Sequence, residues 1–271
     1  MFELENPGKV DPKQYRISDL DQQPDPSKYV LFARGRRLGS FGNFVAITGK
    51  PKSRKSTFAQ AIITAAITAT PQLEFTAQLP PEKNGVILID TEQDRNDLAM
   101  ALQRLKHQAQ ISSFAHLPQF SVYSVATLDP EEICVFVGKL LRDQPRTGMV
   151  VVDGLLDLIN DMNDVKEARA LLSQIKTWAI DHSCLFVTIL HQSKNSGFSI
   201  GHLGSFADRK AQAVLSVEKN EDETSTISAA YLRSDANFEP ITIYYNYNIK
   251  GYSVEFSQER IRDRNKKKKP D

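Results

Sequence analysis

Clusters of cysteine or histidine and long hydrophobic runs are missing from this sequence. Its 271 residues include two cysteines, Cys134 and Cys184, too few for a disulfide framework or a cysteine-based zinc site. The five histidines are scattered along the chain, so we expect no zinc. No apolar run approaches the roughly 18 residues that a membrane-spanning helix needs. The sequence therefore predicts a protein that uses neither zinc nor a membrane.

A large net charge is missing as well. Lys and Arg number 34 and Asp and Glu number 33, giving a net charge of +1, which argues against a uniformly basic nucleic-acid coat. Hydrophobic residues make up 41% and charged residues 25%, which is typical of a globular protein and excludes a wholly disordered or fibrous chain. The opening segment, MFELENPGKVDPKQ, lacks the pattern of a signal peptide, so we expect a cytoplasmic protein.

The balanced total hides a basic end. Residues 259–271 have seven basic and three acidic side chains, a net charge of +4, which leaves −3 for residues 1–258. A second basic cluster, ARGRR, occupies residues 33–37. Charged terminal blocks are usually solvated and disordered, and some of them bind nucleic acid. Both interpretations stay open for the two clusters.

From about residue 29, short apolar runs alternate with helix-length amphipathic stretches. The runs are FVAIT (44–48), VILID (86–90), FSVYSV (120–125), MVVVD (149–153) and LFVTIL (185–190). Such runs are typical of parallel strands buried on both faces, and their alternation with helices predicts βαβ units. After residue 210, closely spaced strand patterns predict antiparallel strands that extend the sheet. The predicted fold class is α/β, with a mainly parallel central sheet flanked by helices.

The sequence shows no internal repeat and no clear linker. Although 271 residues would suit about two domains, we therefore predict one main domain, at residues 30–257. Residues 1–29 are polar and proline-rich and predict an extended N-terminal arm. Residues 258–271 form the basic tail, which we expect to be disordered.

The segment FVAITGKPKSRKSTFAQAI fits the strand, loop and helix of a phosphate-binding loop, whose pattern is G-x-x-x-x-G-K-[ST]. Gly49, Lys55 and Ser56 occupy the expected places, and Arg54 replaces the second glycine. Backbone N–H groups in such a loop and at the start of its helix bind phosphate oxygens. The residues predicted to bind the nucleotide are Gly49, Lys50, Pro51, Lys52, Ser53, Arg54, Lys55, Ser56 and Thr57.

Within this loop, Lys55 is predicted to reach the β- and γ-phosphates, and Ser56 to offer its hydroxyl to Mg²⁺. Arg54 departs from the pattern because loops of this kind need a positive φ at that position, which costs a bulky residue about 1 kcal/mol. An additional contact from Arg54 to the phosphates or the base would compensate. The alternative is a basic surface turn in a degenerate fold.

Polar residues follow two further apolar runs, at the sheet edge where open α/β sheets bind ligands. Glu92, in the sequence Asp90-Thr91-Glu92, is the predicted catalytic base that orients the attacking water. Its alternative is an exposed acidic turn before the next helix, which Asp94 is placed to cap. Asp153 is predicted to hold Mg²⁺ together with the loop serine.

His191 and Gln192 follow the run LFVTIL at the same edge. A polar side chain at this place can sense the γ-phosphate, and we assign that role to Gln192 before His191. The alternative is that both are structural residues whose hydrogen bonds are satisfied within the fold.

Together these motifs resemble the RecA-like ATPases, over roughly residues 30–247. The residues that make up the resemblance are Gly49, Lys55, Ser56, Asp90, Thr91, Glu92, Asp153, His191 and Gln192. The similarity is greatest to the branch of hexameric replicative helicases, plasmid RepA-type helicases and KaiC. The altered loop is similar, more weakly, to those of mobilisation and transposon-encoded ATPases. The resemblance implies ATP and Mg²⁺ as cofactors and a homo-oligomer such as a hexamer.

The resemblance also implies where a neighbouring subunit and DNA would bind. Arg233 corresponds to a basic residue that acts across a subunit interface as an arginine finger, although an ordinary strand-end charge is an equal alternative. Residues 154–164 and 193–204 correspond to loops that face a channel for single-stranded DNA. The first loop is acidic and the second lacks a basic run, so the two basic clusters are the expected phosphate contacts.

The predicted function is ATP hydrolysis by a RecA-like ATPase that acts on DNA in replication or mobilisation of a mobile element. The main alternative is a nucleotide-gated DNA-processing accessory protein with little hydrolysis, favoured by Arg54. A GTPase is disfavoured because no N-K-x-D motif is present. A small-molecule kinase would need a lid or second substrate pocket, and the sequence indicates neither.

Overall fold

The computed structural model describes residues 11–17, 21, 23, 25–192 and 201–255. Its helices are α1 (Lys55–Thr68), α2 (Arg95–Gln108), α3 (Pro130–Asp143), α4 (Val165–Asp181) and α5 (Gly201–Lys210). Its strands are β1 (Tyr29–Ala33), β2 (Arg36–Ser40), β3 (Asn43–Gly49), β4 (Phe75–Ala77), β5 (Gly85–Asp90), β6 (Phe120–Ser124), β7 (Thr147–Asp153), β8 (Leu185–His191), β9 (Ala213–Lys219), β10 (Ser225–Leu232), β11 (Ile241–Asn246) and β12 (Gly251–Val254).

A nine-stranded sheet forms the centre of the molecule, in the order β12-β11-β10-β9-β3-β8-β7-β5-β6. The six strands from β9 to β6 in this order run parallel, and β10, β11 and β12 are antiparallel to their neighbours. This confirms the predicted α/β fold with a mainly parallel sheet and antiparallel C-terminal strands. The carboxyl ends of β3, β5, β7 and β8 meet at one edge of the sheet.

Two details differ from the sequence prediction. Strand β9 was expected to be antiparallel, but it pairs in parallel with β3, because α5 returns the chain to the starting edge before β9 begins. A separate antiparallel sheet, β2-β1-β4, was not predicted. The turn between β1 and β2 uses Arg34 and Gly35, both with positive φ, so residues 33–37 belong to a hairpin.

Hydrophobic residues cover both faces of the large sheet. On one face, Phe58 and Ile62 of α1 pack with Val151. On the other face, Leu172 and Trp178 of α4 belong to the same core as residues 150 and 152. Strand β7 thus contributes alternate side chains to two cores, which explains its uninterrupted apolar sequence. No helix in the described ranges is long and apolar enough to cross a membrane.

The helices differ in how they begin. Asp94, Asp129 and Asp164 cap α2, α3 and α4, each accepting hydrogen bonds from backbone N–H groups of the first turn. The predicted cap at Asp94 is therefore confirmed. By contrast, α1 follows Arg54 and has no side-chain cap. Its first N–H groups are thus available to an anion.

Parts of the predicted N-terminal arm and of the second predicted DNA-facing loop, and all of the basic tail, lie outside the described residues. Of the N-terminal arm, the structure describes a short 3₁₀ turn at Pro12–Tyr15 and another at Pro26–Lys28. Residues 1–10, residues 193–200 of the second loop expected to face DNA, and the whole basic tail are outside the description. The remaining residues predicted in that loop, 201–204, are helical instead and begin α5.

Candidate nucleotide-binding site

The loop between β3 and α1 has the backbone conformation of a tight anion-binding turn. Gly49 ends β3, and a Cβ atom there would collide with the backbone carbonyl oxygen of Val217, so the position requires glycine. Lys52 and Arg54 both have positive φ, at 64° and 73°. Ser53 Oγ is buried and has no hydrogen-bond partner in the described structure. A buried hydroxyl without a partner, beside an uncapped helix, fits a phosphate oxygen as its ligand.

Arg54 has the left-handed conformation expected from the missing glycine, and its side chain points to the C-terminal strands. Its Nη1 donates to Glu223 O at 2.6 Å and to Ser225 Oγ at 2.9 Å. Its guanidinium carbon lies 5.5 Å from the centre of the Tyr252 ring. These contacts connect the loop to β10 and β12 and compensate for the backbone strain at Arg54. The sequence had led us to expect contacts with a phosphate or a base in this role.

Lys55 is buried at the centre of the site. Its Nζ donates to Gly49 O and Lys50 O, both at 3.0 Å, and lies 3.2 Å from Nδ1 of His191. Burial lowers the pKa of Lys55, while the nearby carboxylates of Asp153 and Glu92 act in the opposite direction. The ammonium group is therefore held at the turn from which it can reach bound phosphates.

His191 connects this lysine to the predicted base. Its Nε2 lies 3.1 Å from Oε1 of Glu92. One tautomer satisfies both contacts: Nδ1 accepts from Lys55, and Nε2–H donates to Glu92. The hydrogen bond from His191 is the main cause that lowers the pKa of Glu92, so this carboxylate is ionised at neutral pH and can accept a proton.

Ser56 and Asp153 supply oxygen atoms for a metal ion. The Ser56 side chain hydrogen-bonds to the Asp153 carboxyl. Burial, with smaller effects from Asp90 and Glu92, raises the pKa of Asp153 to about 6. A hydroxyl and a carboxylate, surrounded by further negative charge, fit Mg²⁺, which binds few protein oxygens and completes its shell with phosphate and water.

Two residues that the sequence did not assign a role support Glu92. Asp90 is buried and accepts hydrogen bonds from the N–H groups of Glu92 and Gln93, at 3.1 and 2.7 Å. Thr91 Oγ1 donates to Asp157 Oδ2 at 2.6 Å and contacts Asp153 O at 2.9 Å. The run of polar residues after β5 was the signal for these roles, but only Glu92 was selected from it.

Gln192 and Arg233 form their hydrogen bonds with residues outside the group of Lys55, Glu92 and Asp153. Gln192 Nε2 donates to Thr48 Oγ1 at 3.0 Å and Ser216 Oγ at 3.4 Å, so His191, not Gln192, contacts the predicted base. Arg233 follows β10 at the opposite edge of the sheet, where its guanidinium donates to Arg209 O. A finger role for Arg233 would therefore require a second copy of the chain.

The basic cluster at residues 33–37 forms contacts within the molecule. Arg36 and Arg37 pair with Asp235 at 3.2 and 3.5 Å, and Arg34 pairs with Glu74 at 3.4 Å. The cluster thus connects the small sheet to the segment after β10. The acidic loop at 154–164 contains a 3₁₀ turn, Leu155–Leu158, and ends at the cap of α4.

A strand–loop–helix with a buried lysine, a serine–aspartate pair and a carboxylate at one sheet edge defines the class of P-loop nucleotide-binding proteins. A family model described as AAA domain matches residues 9–197, well over half of the chain, and the chain therefore belongs to this family of P-loop ATPases. No curated protein matches the sequence.

Proposed function

We propose that the protein binds ATP with Mg²⁺, hydrolyses it at the site around Lys55, and couples this reaction to DNA in replication or mobilisation of a mobile element. The main support is the hydrogen-bonded series Lys55–His191–Glu92 beside the Ser56–Asp153 pair. This arrangement puts groups for the phosphates, the metal and the water within one site. The RecA-like branch of the ATPases remains our choice within the wider family, and residues 30–257 are our choice for its domain.

In this proposal each residue has one task. The N–H groups of the loop and of the first turn of α1 bind the phosphates, and Lys55 leaves its carbonyl partners to neutralise their charge. Ser56 and Asp153 would hold Mg²⁺, which when bound would neutralise negative charge on the phosphates. Glu92 orients a water molecule and accepts its proton as the water oxygen bonds to the γ-phosphorus. The bond from that phosphorus to ADP then breaks.

We assign the sensor role to His191. When Lys55 moves towards a phosphate, His191 loses the donor at Nδ1 and can reorient with respect to Glu92. Because His191 ends β8, the chain continues from it into residues 193–200, the part before α5 of the loop expected to face DNA. Nucleotide occupancy would thereby change the geometry of the base at the point where the chain leaves β8.

The DNA and oligomer parts of the proposal have separate support. With the arginines at 33–37 engaged in ion pairs, the basic tail at 258–271 is the favoured contact for single-stranded DNA. The position of Arg233 at the far edge of the sheet suits a residue that completes the site of a neighbouring copy. Both features agree with a homo-oligomer of the helicase-like branch, such as a hexamer.

A second candidate function is a nucleotide-gated accessory protein that hydrolyses slowly. The observation that favours it is Arg54, whose side chain ties the phosphate loop to Glu223, Ser225 and Tyr252. A loop restrained in this way would adjust less readily to the transition state than one with glycine.

Phosphate release with and without single-stranded DNA tests both candidates. We expect turnover in the wild type, loss of binding and turnover in Lys55→Ala, and retained ATP binding with roughly a hundred-fold slower turnover in Glu92→Gln. The matched control is Lys139→Ala, an exposed lysine of α3, which should behave as wild type. Tight binding without turnover in the wild type would favour the second candidate. Turnover unaffected by Lys55→Ala would contradict the site itself.

A further inference from the structure

A cavity of about 450 Å³ lies at the edge of the central sheet opposite the phosphate loop. Its lining includes Asn43, where β3 begins, and Gln212, directly before β9 begins. Because β3 runs over seven residues from this cavity to Gly49, the two places are about 20 Å apart. The volume of the cavity lies within the range, about 300–1,000 Å³, that is usual for small-molecule sites. The cavity is therefore separate from the site around Lys55.

Three cationic side chains line this cavity from three different parts of the fold. Lys176 comes from α4, Lys210 is the last residue of α5, and Arg233 directly follows β10. No acidic side chain lines the cavity in the part of the chain that the structure describes. The ion pairs among the described residues include none of the three cations. Positive charge is thus gathered here without a carboxylate to balance it.

Lys176 is half-buried, and the start of β3 holds its ammonium group in place. Its Nζ donates to Gly42 O at 2.6 Å and also to Asn43 Oδ1. An ammonium group has three N–H donors, so one of them remains for a ligand. Burial lowers the pKa of Lys176, and the nearby positive charge of Arg233 lowers it further. A bound anion would offset both effects.

Hydrogen bonds position Arg233 and use only part of its guanidinium. Its backbone N–H donates to Gln212 O at 3.0 Å, and its guanidinium donates to Arg209 O near the end of α5. Gln212 is itself fixed, since its Oε1 accepts from Ser40 N–H at 2.8 Å and its Nε2 donates to Ser234 Oγ at 3.1 Å. A guanidinium has five N–H donors, in a planar fork that matches two oxygen atoms of a phosphate. The other donors of Arg233 therefore remain for a ligand.

We infer that this cavity is a second anion site, which binds a phosphate group through Lys176, Lys210 and Arg233. A phosphate group on a larger molecule carries a charge of about −1.5 to −2 at neutral pH, so more than one cation is needed to balance it. Ser173 and Thr177 lie on the same face of α4 as Lys176 and add hydroxyl groups to the lining. The assignment goes beyond the proposed function and does not depend on a finger role for Arg233.

Calorimetric titration with pyrophosphate tests this assignment, because the phosphate loop and the cavity should behave as two separable sites. In the wild type we expect two sites, of which Lys55→Ala removes one. Lys210→Gln and Arg233→Gln should each weaken the other site by roughly ten-fold, since each removes a charged hydrogen bond. Lys176→Gln should have the same effect. Lys166→Gln is the matched control, because Lys166 is an exposed lysine of α4 outside the cavity.

A pyrophosphate site that survives Lys55→Ala and is weakened by the three cavity substitutions supports the inference, whatever the result for ATP at the phosphate loop. Each variant should unfold cooperatively on heating, as the wild type does, so that loss of binding is not loss of the fold.

Two competitors define the ligand of the cavity. Displacement of pyrophosphate by a short thymidine oligonucleotide supports a nucleic-acid strand as the source of the phosphate, and lack of displacement supports a free phosphorylated molecule. If malonate, a dicarboxylate, binds the cavity as tightly as pyrophosphate does, the assignment to phosphate is overturned. The inference is also overturned if none of the cavity substitutions weakens pyrophosphate binding, or if Lys166→Gln weakens it equally.

Discussion

Asp153 is a buried carboxyl group close to two other acidic side chains. Its pKa of about 6 in the folded protein lies above the ordinary value of 3.8, so folding favours its protonated form. The stability of the ligand-free protein should therefore fall as the pH rises from about 4 to about 6, by about 1–3 kcal/mol from this group. We predict that Asp153→Asn raises the melting temperature at pH 7.5 by several degrees, and hardly changes it near pH 4.

Thermal unfolding without Mg²⁺ at the two pH values measures this effect, with Asp143→Asn as an exposed control from the end of α3. The same Asp153→Asn variant should weaken Mg²⁺-dependent ATP binding, because a neutral amide is a poorer ligand than a carboxylate. A variant that melts below wild type at pH 7.5 would contradict the view that the ionised carboxyl group destabilises the ligand-free fold.

At the scale of single residues, the sequence predicted positions better than orientations. Motif spacing, and the rule that parallel strands bring their carboxyl ends together, predicted that Lys55, Glu92 and Asp153 lie near one another, as they do in the structure. Their roles stay predictions. The choice between His191 and Gln192 could not be made this way, because consecutive residues of a strand face opposite sides of the sheet. Which side faces the site depends on how β8 packs, and the sequence pattern does not contain that information.

At the scale of an element, the phosphate loop combines a strained backbone with contacts that compensate for it. Arg54 has φ = 73°, a conformation that glycine adopts freely and alanine does not. Arg54→Gly and Arg54→Ala both remove the contacts with Glu223, Ser225 and Tyr252, but only the alanine variant keeps a Cβ atom. We predict that Arg54→Ala is less stable than Arg54→Gly by about 1 kcal/mol in chemical denaturation.

The rate of phosphate release by Arg54→Gly and Arg54→Ala shows how the loop affects ATP hydrolysis. If restraint by the guanidinium slows hydrolysis, both variants should turn over ATP faster than wild type, with Arg54→Gly the faster of the two. Equal stability of the two variants would mean that the position is not strained, and slower turnover in both would mean that Arg54 assists the reaction.

The elements themselves could be predicted to different degrees. The cap at Asp94 and the five apolar runs marked the start of α2 and five parallel strands correctly, because both signals are local. The direction of β9 depends on the helix before it, and a pattern of closely spaced strands does not show that relation. The small sheet was missed because β2 begins with two arginines, whose charges form ion pairs with the distant Asp235.

At the scale of the whole molecule, the distribution of charge matters more than its total. The net charge of +1 combines a basic end of +4 with a remainder of −3. Since Arg36 and Arg37 pair with Asp235, the fold neutralises part of the basic cluster at residues 33–37. Binding to DNA, if it follows our proposal, should then depend mainly on the terminal residues.

Deletion of residues 259–271 tests that dependence. We predict that it weakens binding to single-stranded DNA by at least roughly ten-fold at low salt and flattens the plot of log affinity against log salt, because each lost phosphate contact reduces the slope by about 0.7. ATP binding should be retained, and the double variant Arg36→Ala/Arg37→Ala should change DNA affinity much less than the deletion does. Unchanged affinity and slope after deletion would show that the tail is a solvated end, and a larger loss in the double variant would place the DNA contact on the β1–β2 hairpin instead.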